Sequence, residues 1–376
     1  MNIKKFTSLA LVMALTLGFT SCGSNKPAEE GKEETKVEEK TEEGKEEAKE
    51  EGKEEAKGEG KEEAKSDGKA KKIAVLLYNG SDTYIASVRQ QLEKLDEADD
   101  SIELVFQDGQ NNQGTQTDQL NNVIAQNVDG ILLNIVDISA APTAMETIKA
   151  SGIPTAFFNR DMTESMTEED LKDFLFVGTD APEAGKMQGE ILKELWEKGD
   201  MDRNGNGVLD YVMLNGGLDN PEAQARTEFS VKTLEDAGIK VKEVAFQDCK
   251  WDTDKAKTAM DTWLQTNQDD IDAVIANNDG MAIGAISALQ AVGMNTGSSD
   301  DNMVVVGVDA TDLAVAEIDK GTMSGTVKQD AEGMAKALID TMLNKLNNGD
   351  FIEGSDYKLA DDNKSIRIDY QIYTGK

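Results

Sequence analysis

From Ile73 onward, short apolar runs alternate with longer stretches in which apolar residues return every three or four positions. The short runs fit strands buried on both faces, and the 3.6-residue period fits helices that cover them. The pattern predicts strands at 73–79, 102–107, 130–136, 155–159, 174–177, 211–214, 241–246, 273–277 and 304–308. It predicts helices at 83–96, 116–126, 140–150, 182–197, 221–237, 254–265 and 281–291. Strands that alternate with helices in this way form parallel sheets of the α/β class. About 300 residues exceed one such core, so two doubly wound lobes are expected. In such sheets a ligand sits beyond the carboxyl ends of the strands. Polar residues gather there: Tyr78-Asn79-Gly80-Ser81-Asp82, Asn134, Asn277-Asn278-Asp279 and Asp309. No Gly-x-Gly-x-x-Gly follows the first strand, and no phosphate-binding Gly-x-x-x-x-Gly-Lys-Ser/Thr loop occurs.

The chain before Ile73 carries a different pattern. Residues 1–22 read as a lipoprotein signal peptide, with Lys4 and Lys5 ahead of a short, mostly apolar stretch at 6–19. It ends in Phe19-Thr20-Ser21-Cys22, which resembles a bacterial lipobox and implies cleavage and lipidation at Cys22. Residues 23–72 read as a disordered Glu/Lys/Gly-rich tether that repeats every eight residues, as in Gly44-Lys45-Glu46-Glu47-Ala48-Lys49. It offers no apolar face to offset the entropy of ordering. Cys249 is then the only cysteine of the body, and it reads as a small side chain beside a loop.

Composition narrows the chemistry. The 376 residues hold 39 basic and 73 acidic side chains, a net charge of −34, and no histidine. Without His, a Ser-His-Asp triad, a Cys-His pair and a His-ligated metal are excluded within this chain. So acidic a chain is a poor partner for nucleic acid, which is bound by neutralising phosphates. The tether, with 13 Lys against 18 Asp or Glu, is nearly balanced, so the body carries most of the charge.

The sharpest local motif is Asp202-Arg203-Asn204-Gly205-Asn206-Gly207-Val208-Leu209-Asp210. Its spacing matches the first nine positions of an EF-hand loop: oxygen side chains at one, three, five and nine, Gly at six, and a backbone carbonyl from Val208 at seven. Position twelve is Met213 where an EF-hand has Glu. The motif predicts a calcium site whose last carboxylate comes from elsewhere. A turn rich in Asp, Asn and Gly is the simpler alternative.

The body resembles the galactose/glucose-binding proteins of bacterial ABC transport and chemotaxis. The likeness covers essentially all of it, through Asn134-Ile135-Val136-Asp137, Phe157-Phe158-Asn159, Val177-Gly178-Thr179-Asp180 and Ala223-Gln224-Ala225-Arg226-Thr227. It continues through Trp251-Asp252-Thr253, Ile275-Ala276-Asn277-Asn278-Asp279, Gly307-Val308-Asp309-Ala310 and Gly325-Thr326-Val327. The resemblance implies a type I periplasmic-binding-protein fold, whose two lobes are joined by a three-strand hinge. One lobe is expected at 73–152 plus 330–367, the other at 153–329 plus 368–376. It implies that Asp272 completes the calcium site, where the family usually has Glu.

It also implies a sugar site in the cleft between the lobes. Asp82, Asn134, Arg226, Asn278 and Asp309 match its polar contacts, Trp251 one stacking ring and Tyr84 the other. Asn220, Glu222 and Gln329 stand where the family has His, Asp and Asn. The implied protein is a non-enzymatic, monomeric lipoprotein of the cell envelope. It would be exported, anchored to a membrane through its lipid, hold structural Ca²⁺, and bind D-glucose or D-galactose. Its partners would be the membrane subunits of an ABC permease and a chemoreceptor. Three rivals remain: a binder of another monosaccharide such as a pentose, a carbohydrate hydrolase built on Asp82, Glu222 and Asp309, and a sugar-responsive repressor. The last needs a basic N-terminal DNA-binding segment, and the acidic tether stands there instead.

Overall fold

A computed structural model describes residues 69–199, 201–297 and 302–375. The signal peptide, Cys22 and the tether as far as 68 lie outside the described residues. In chain order the strands of the first half are β1 (Lys71–Leu77), β2 (Ile102–Asp108), β3 (Gly130–Leu133), β4 (Thr155–Phe158), β5 (Phe174–Gly178) and β6 (Leu209–Asn215). They continue with β7 (Val241–Asp248), β8 (Ala273–Ala276), β9 (Val304–Asp309), β10 (Gly325–Gln329), β11 (Ser365–Arg367) and β12 (Tyr370–Tyr373). The α-helices are α1 (Thr83–Ala98), α2 (Gln113–Ala125), α3 (Ala141–Ser151), α4 (Ala181–Lys198), α5 (Pro221–Asp236), α6 (Thr253–Asn267), α7 (Asp279–Ala291), α8 (Asp312–Asp319) and α9 (Ala331–Asn348).

Two six-stranded sheets result, with orders β2-β1-β3-β4-β5-β11 and β7-β6-β8-β9-β10-β12. The order is the same in both, so the second lobe repeats the winding of the first. All pairings are parallel except β10 with β12. Strand alternation divides each core in two. Ile73, Val75 and Leu77 face α1 and α9, while Ala74 and Leu76 face α2 and α3. In the second sheet Val212 and Leu214 face α6 and α7, whereas Tyr211 and Met213 face α4 and α5. Helices α4 and α5 approach so closely that a Cβ on Gly189 would lie 2.5 Å from Thr233 Cβ and 2.7 Å from Ser230 O. Cys249 is buried in the second lobe, and burial pushes its thiol up to about 12.

The chain passes between lobes three times. It crosses after β5, between β10 and α9, and between β11 and β12. The lobe boundary expected at 152/153 is therefore corrected: β4 and β5 belong to the first sheet, and the first crossing falls between Gly178 and Ala181. The physical reason is that β4 and β5 extend the same parallel ladder, in register with β3. The tether boundary at 72 is also corrected, because Lys71 and Lys72 already pair with Ile102 and Glu103. Three strands and two helices were not expected from the apolar pattern: β10, β11, β12, α8 and α9.

Candidate functional site

The carboxyl ends of both sheets open onto a cleft of about 360 Å³. The first lobe supplies Tyr78, Asp82, Tyr84, Asn159 and Arg160. The second supplies Asn220, Glu222, Arg226, Trp251, Asn278, Asp309 and Gln329. Nine of the ten residues expected at a sugar site are thus brought together from six separate segments.

Helix capping places three of them. Asp82 caps α1, its Oδ1 accepting from Ile85 N at 2.9 Å. Asn220 caps α5 by accepting from Ala223 N at 2.9 Å, with Pro221 at the first helical position. Asn278 caps α7 by accepting from Met281 N at 2.9 Å. Capping and lining the cleft are therefore one role, because each helix starts where its strand ends. The cap also uses up the amide oxygen of Asn220 and of Asn278, which leaves their NH₂ groups as donors. Asp82 Oδ2 accepts from the Tyr78 hydroxyl at 2.6 Å. Burial, then the adjacent Asp82, raises the Tyr78 pKa well above its ordinary value.

Arg226 is the centre of the second-lobe wall. Its Nη1 donates to Asn277 O at 2.8 Å, and its Nη2 donates to Gln329 Oε1 at 2.8 Å and to the Tyr370 hydroxyl at 2.9 Å. Burial works against its charge, but Tyr370, Asp309 and Glu222 outweigh that and hold it protonated. Asp309 and Asp279 form a buried acidic pair. Burial first, and mutual repulsion at Asp309, lift both above the ordinary carboxylate range. Asp279 itself faces inward, accepting from Thr326 Oγ1 at 2.6 Å and Thr311 N at 2.8 Å. Burial likewise raises Glu222.

Five buried polar atoms in this cleft have no hydrogen-bond partner: Tyr84 Oη, Glu222 Oε2, Arg226 Nε, Asp309 Oδ2 and Gln329 Nε2. Such atoms are rare in a folded interior, and each costs about 1–3 kcal/mol unpaired. The set mixes donors and acceptors. A ligand that satisfies it must both donate and accept at closely spaced points, as neighbouring hydroxyls do. Three lining residues also hold left-handed backbone, Asn159 at φ 65°, Trp251 at φ 63° and Asp309 at φ 131°. Strain of this kind concentrates at ligand sites. The Trp251 ring lies directly on Gly216, where a Cβ would come within 2.4 Å of it.

Asn134 stands apart from the other nine. It does not line the cleft. It is fully buried, its Oδ1 accepting from Tyr78 N at 3.4 Å and its Nδ2 donating to Phe158 O at 3.1 Å and Asn159 Oδ1 at 3.2 Å. Its amide holds Asn159 in place. Tyr78, Asn159 and Arg160 were missed. Tyr78 and Asn159 stand at strand ends where polar residues were already suspect. Arg160 has no local signature; its guanidinium packs 3.6 Å from the Tyr78 ring centre and donates to Val136 O.

The calcium motif lies away from the cleft. Asp272 accepts from Arg203 N at 2.8 Å and from Asp210 N at 2.9 Å, which ties the loop to β8. Asp210 Oδ2 accepts from the amides of Asn206 at 2.7 Å and Asn204 at 3.1 Å, and Lys242 reaches its Oδ1 at 2.8 Å. Burial pushes Asp210 up, but those three donors leave it below the usual carboxylate range. Burial leaves Asp272 raised. Asp202 accepts from Asn206 N and Gly207 N, and Val208 N donates to Asn206 Oδ1. Among the described residues, no three or more His, Cys, Asp or Glu side chains form a ready metal cluster. The loop's remaining oxygens come from amides and a carbonyl. Its donor chemistry fits a hard cation: turning the Asn204 and Asn206 amides over would bring oxygens where NH₂ groups now meet Asp210.

Residues 73–350 match the family model of the periplasmic binding protein domain. The chain is 32% identical to the D-galactose/methyl-galactoside binding periplasmic protein of Haemophilus influenzae, over 80% of this chain and 88% of that protein. It is 28% identical to a ribose import binding protein of Bacillus subtilis, over 68% of this chain and 75% of the relative. A crystal structure of an ABC transporter solute binding protein from Bacillus halodurans C-125, with bound myo-inositol, superposes with a TM-score of 0.66. It is 29% identical and covers 82% of this chain and 96% of its own.

Proposed function

The chain belongs to the periplasmic binding protein domain family, and from that premise we propose that it captures a D-hexose, glucose or galactose, for an ABC sugar permease. It is a binding protein with no catalytic role. The observation that carries the hexose reading is the set of five unpartnered buried atoms, of both donor and acceptor type, beside Trp251 and Tyr84. A pyranose offers a ring of hydroxyls between two apolar faces, so it answers both features. Asp309 and Glu222 accept, Arg226 and Gln329 donate, and Tyr84 does either. Titration calorimetry with glucose, galactose, ribose and myo-inositol tests the choice. Heat with a hexose at one site per chain is expected, and no heat with either hexose refutes it. The inositol arm is included because a cyclic polyol could pair with the same atoms.

The lipid anchor at Cys22 belongs to the same reading, and intact mass of the membrane-extracted protein tests it: an acylated chain beginning at Cys22 is expected. The loop at 202–210 is proposed to hold structural calcium through Asp202, Asn204, Asn206, the Val208 carbonyl, Asp210 and Asp272. The buried pair Asp210 and Asp272 supports this, since a bound cation would supply charge that Lys242 alone, on an exposed stem, supplies now.

A further inference from the structure

One contact spans the cleft beside the ligand-facing atoms. Glu222, at the second position of α5 in the second lobe, accepts from the backbone N–H of Asp161 in the first lobe at 2.8 Å through Oε1. Its other oxygen, Oε2, is buried in the cleft without a partner. Asp161 is itself held from both sides. Its Oδ1 accepts from Thr163 N at 2.9 Å and Thr163 Oγ1 at 2.6 Å, and its Oδ2 takes an ion pair from Arg367 at 2.6 Å. Arg367 ends β11, at the third crossing, and the same guanidinium donates to Thr179 O at 2.9 Å in the first crossing. Two of the three hinge segments therefore fix the position of the one amide that Glu222 reaches.

We propose that Glu222 is the closure latch of this protein, bridging the bound ligand to the opposite lobe, with Asp161 and Arg367 as its positioning residues. The proposal deepens the reading of the cleft as a ligand site. The two carboxylate oxygens divide the work: Oε1 closes onto the Asp161 amide, and Oε2 takes a ligand hydroxyl. The Asp161 amide lies on the other lobe, so that bond exists only when the lobes are together. Ligand binding and closure then share one side chain, and either event orients it for the other. A bond made after encounter governs departure more than arrival, so its loss is read in the dissociation rate.

The test uses the whole chain carrying dyes at Glu97→Cys and Asp236→Cys, one exposed position on each lobe. Single-molecule energy transfer reads the closed fraction with and without D-galactose, in wild type, Glu222→Asp and Arg367→Gln. Glu222→Asp shortens the reach by one methylene; Arg367→Gln leaves the cleft lining intact. Both should lower the sugar-free closed fraction at least threefold and speed D-galactose release about tenfold, with association within twofold of wild type. Equal closed fractions in all three proteins overturn the latch. Failure of wild type to bind either D-galactose or D-glucose would count against the hexose reading alone, because the sugar-free closed fraction still reads the latch. Melting curves identify a variant that fails to fold, and Asp161→Asn, which opposes an NH₂ or a neutral oxygen to Arg367, then replaces it with the same expected outcome.

Discussion

Gly216→Ala isolates the stacking wall of the cleft from everything around it. Gly216 does not hold a left-handed backbone, so alanine fits its conformation. The backbone N–H that donates to Asn277 Oδ1 at 3.0 Å is kept. The added methyl, however, would lie 2.4–2.5 Å from three atoms of the Trp251 ring. Ordinary carbon contacts need about 3.5–4.0 Å, so the ring must move by about 1 Å. One face of a tryptophan offers a sugar about 80 Å² of apolar contact, a fraction of the ring's full burial. At about 25 cal/mol per Å² that contact is worth about 2 kcal/mol. Losing most of it raises Kd about 10- to 30-fold. Titration calorimetry with the preferred hexose measures Kd, and scanning calorimetry of the sugar-free protein checks the fold. The melting temperature should fall by no more than about 4 °C, since a half-buried ring has room to adjust. A Kd within twofold of wild type would refute the placement of Trp251 as a ligand-facing wall.

Other outcomes follow from the same geometry. Tyr84→Phe removes a hydroxyl that has the Gln329 side chain beside it but makes no hydrogen bond of ordinary length within the protein, so the sugar-free protein should melt close to the wild-type temperature while hexose affinity drops about tenfold. A melting temperature several degrees lower would mean that the hydroxyl is bonded within the protein. Stability should also depend on pH through the buried acidic pair. Asp279 is lifted to about 7 by burial, above its value in an unfolded chain, so the folded state binds the extra proton. Its contribution is present below about pH 4 and is lost as pH rises through about 7. The melting temperature should therefore fall between pH 5 and pH 8, and Asp279→Asn should flatten that slope; an unchanged slope would contradict it. Chelation with EDTA should lower the melting temperature and calcium should restore it, with hexose binding still measurable at low temperature. Identical melting curves would count against the site at 202–210.

Much of this was legible in the chain because the strands are buried on both faces. Runs such as Ile73-Ala74-Val75-Leu76-Leu77 announce a parallel sheet without help from tertiary context. The elements that escaped are those whose apolar signal is weak or shared. Strand β12 shows two exposed residues of four, and β11 has only three residues. Both are short pieces of hinge whose partners lie far away in sequence. The site was legible where polar residues end strands, because a helix cap and a ligand contact occupy the same position at Asp82, Asn220 and Asn278. It was silent at Asn134, where strand position cannot say whether an amide faces the cleft or braces β4 from behind. It failed also at Asp161 and Arg367, which meet across 206 positions only because the hinge folds back.

The most direct measurement is a crystal structure of the full chain grown with D-galactose. The account predicts the sugar in the cleft between Trp251 and Tyr84, with hydroxyls within hydrogen-bond distance of Tyr84 Oη, Glu222 Oε2, Arg226 Nε, Asp309 Oδ2 and Gln329 Nε2. A sugar bound elsewhere, or one that leaves those five atoms without partners, would contradict it.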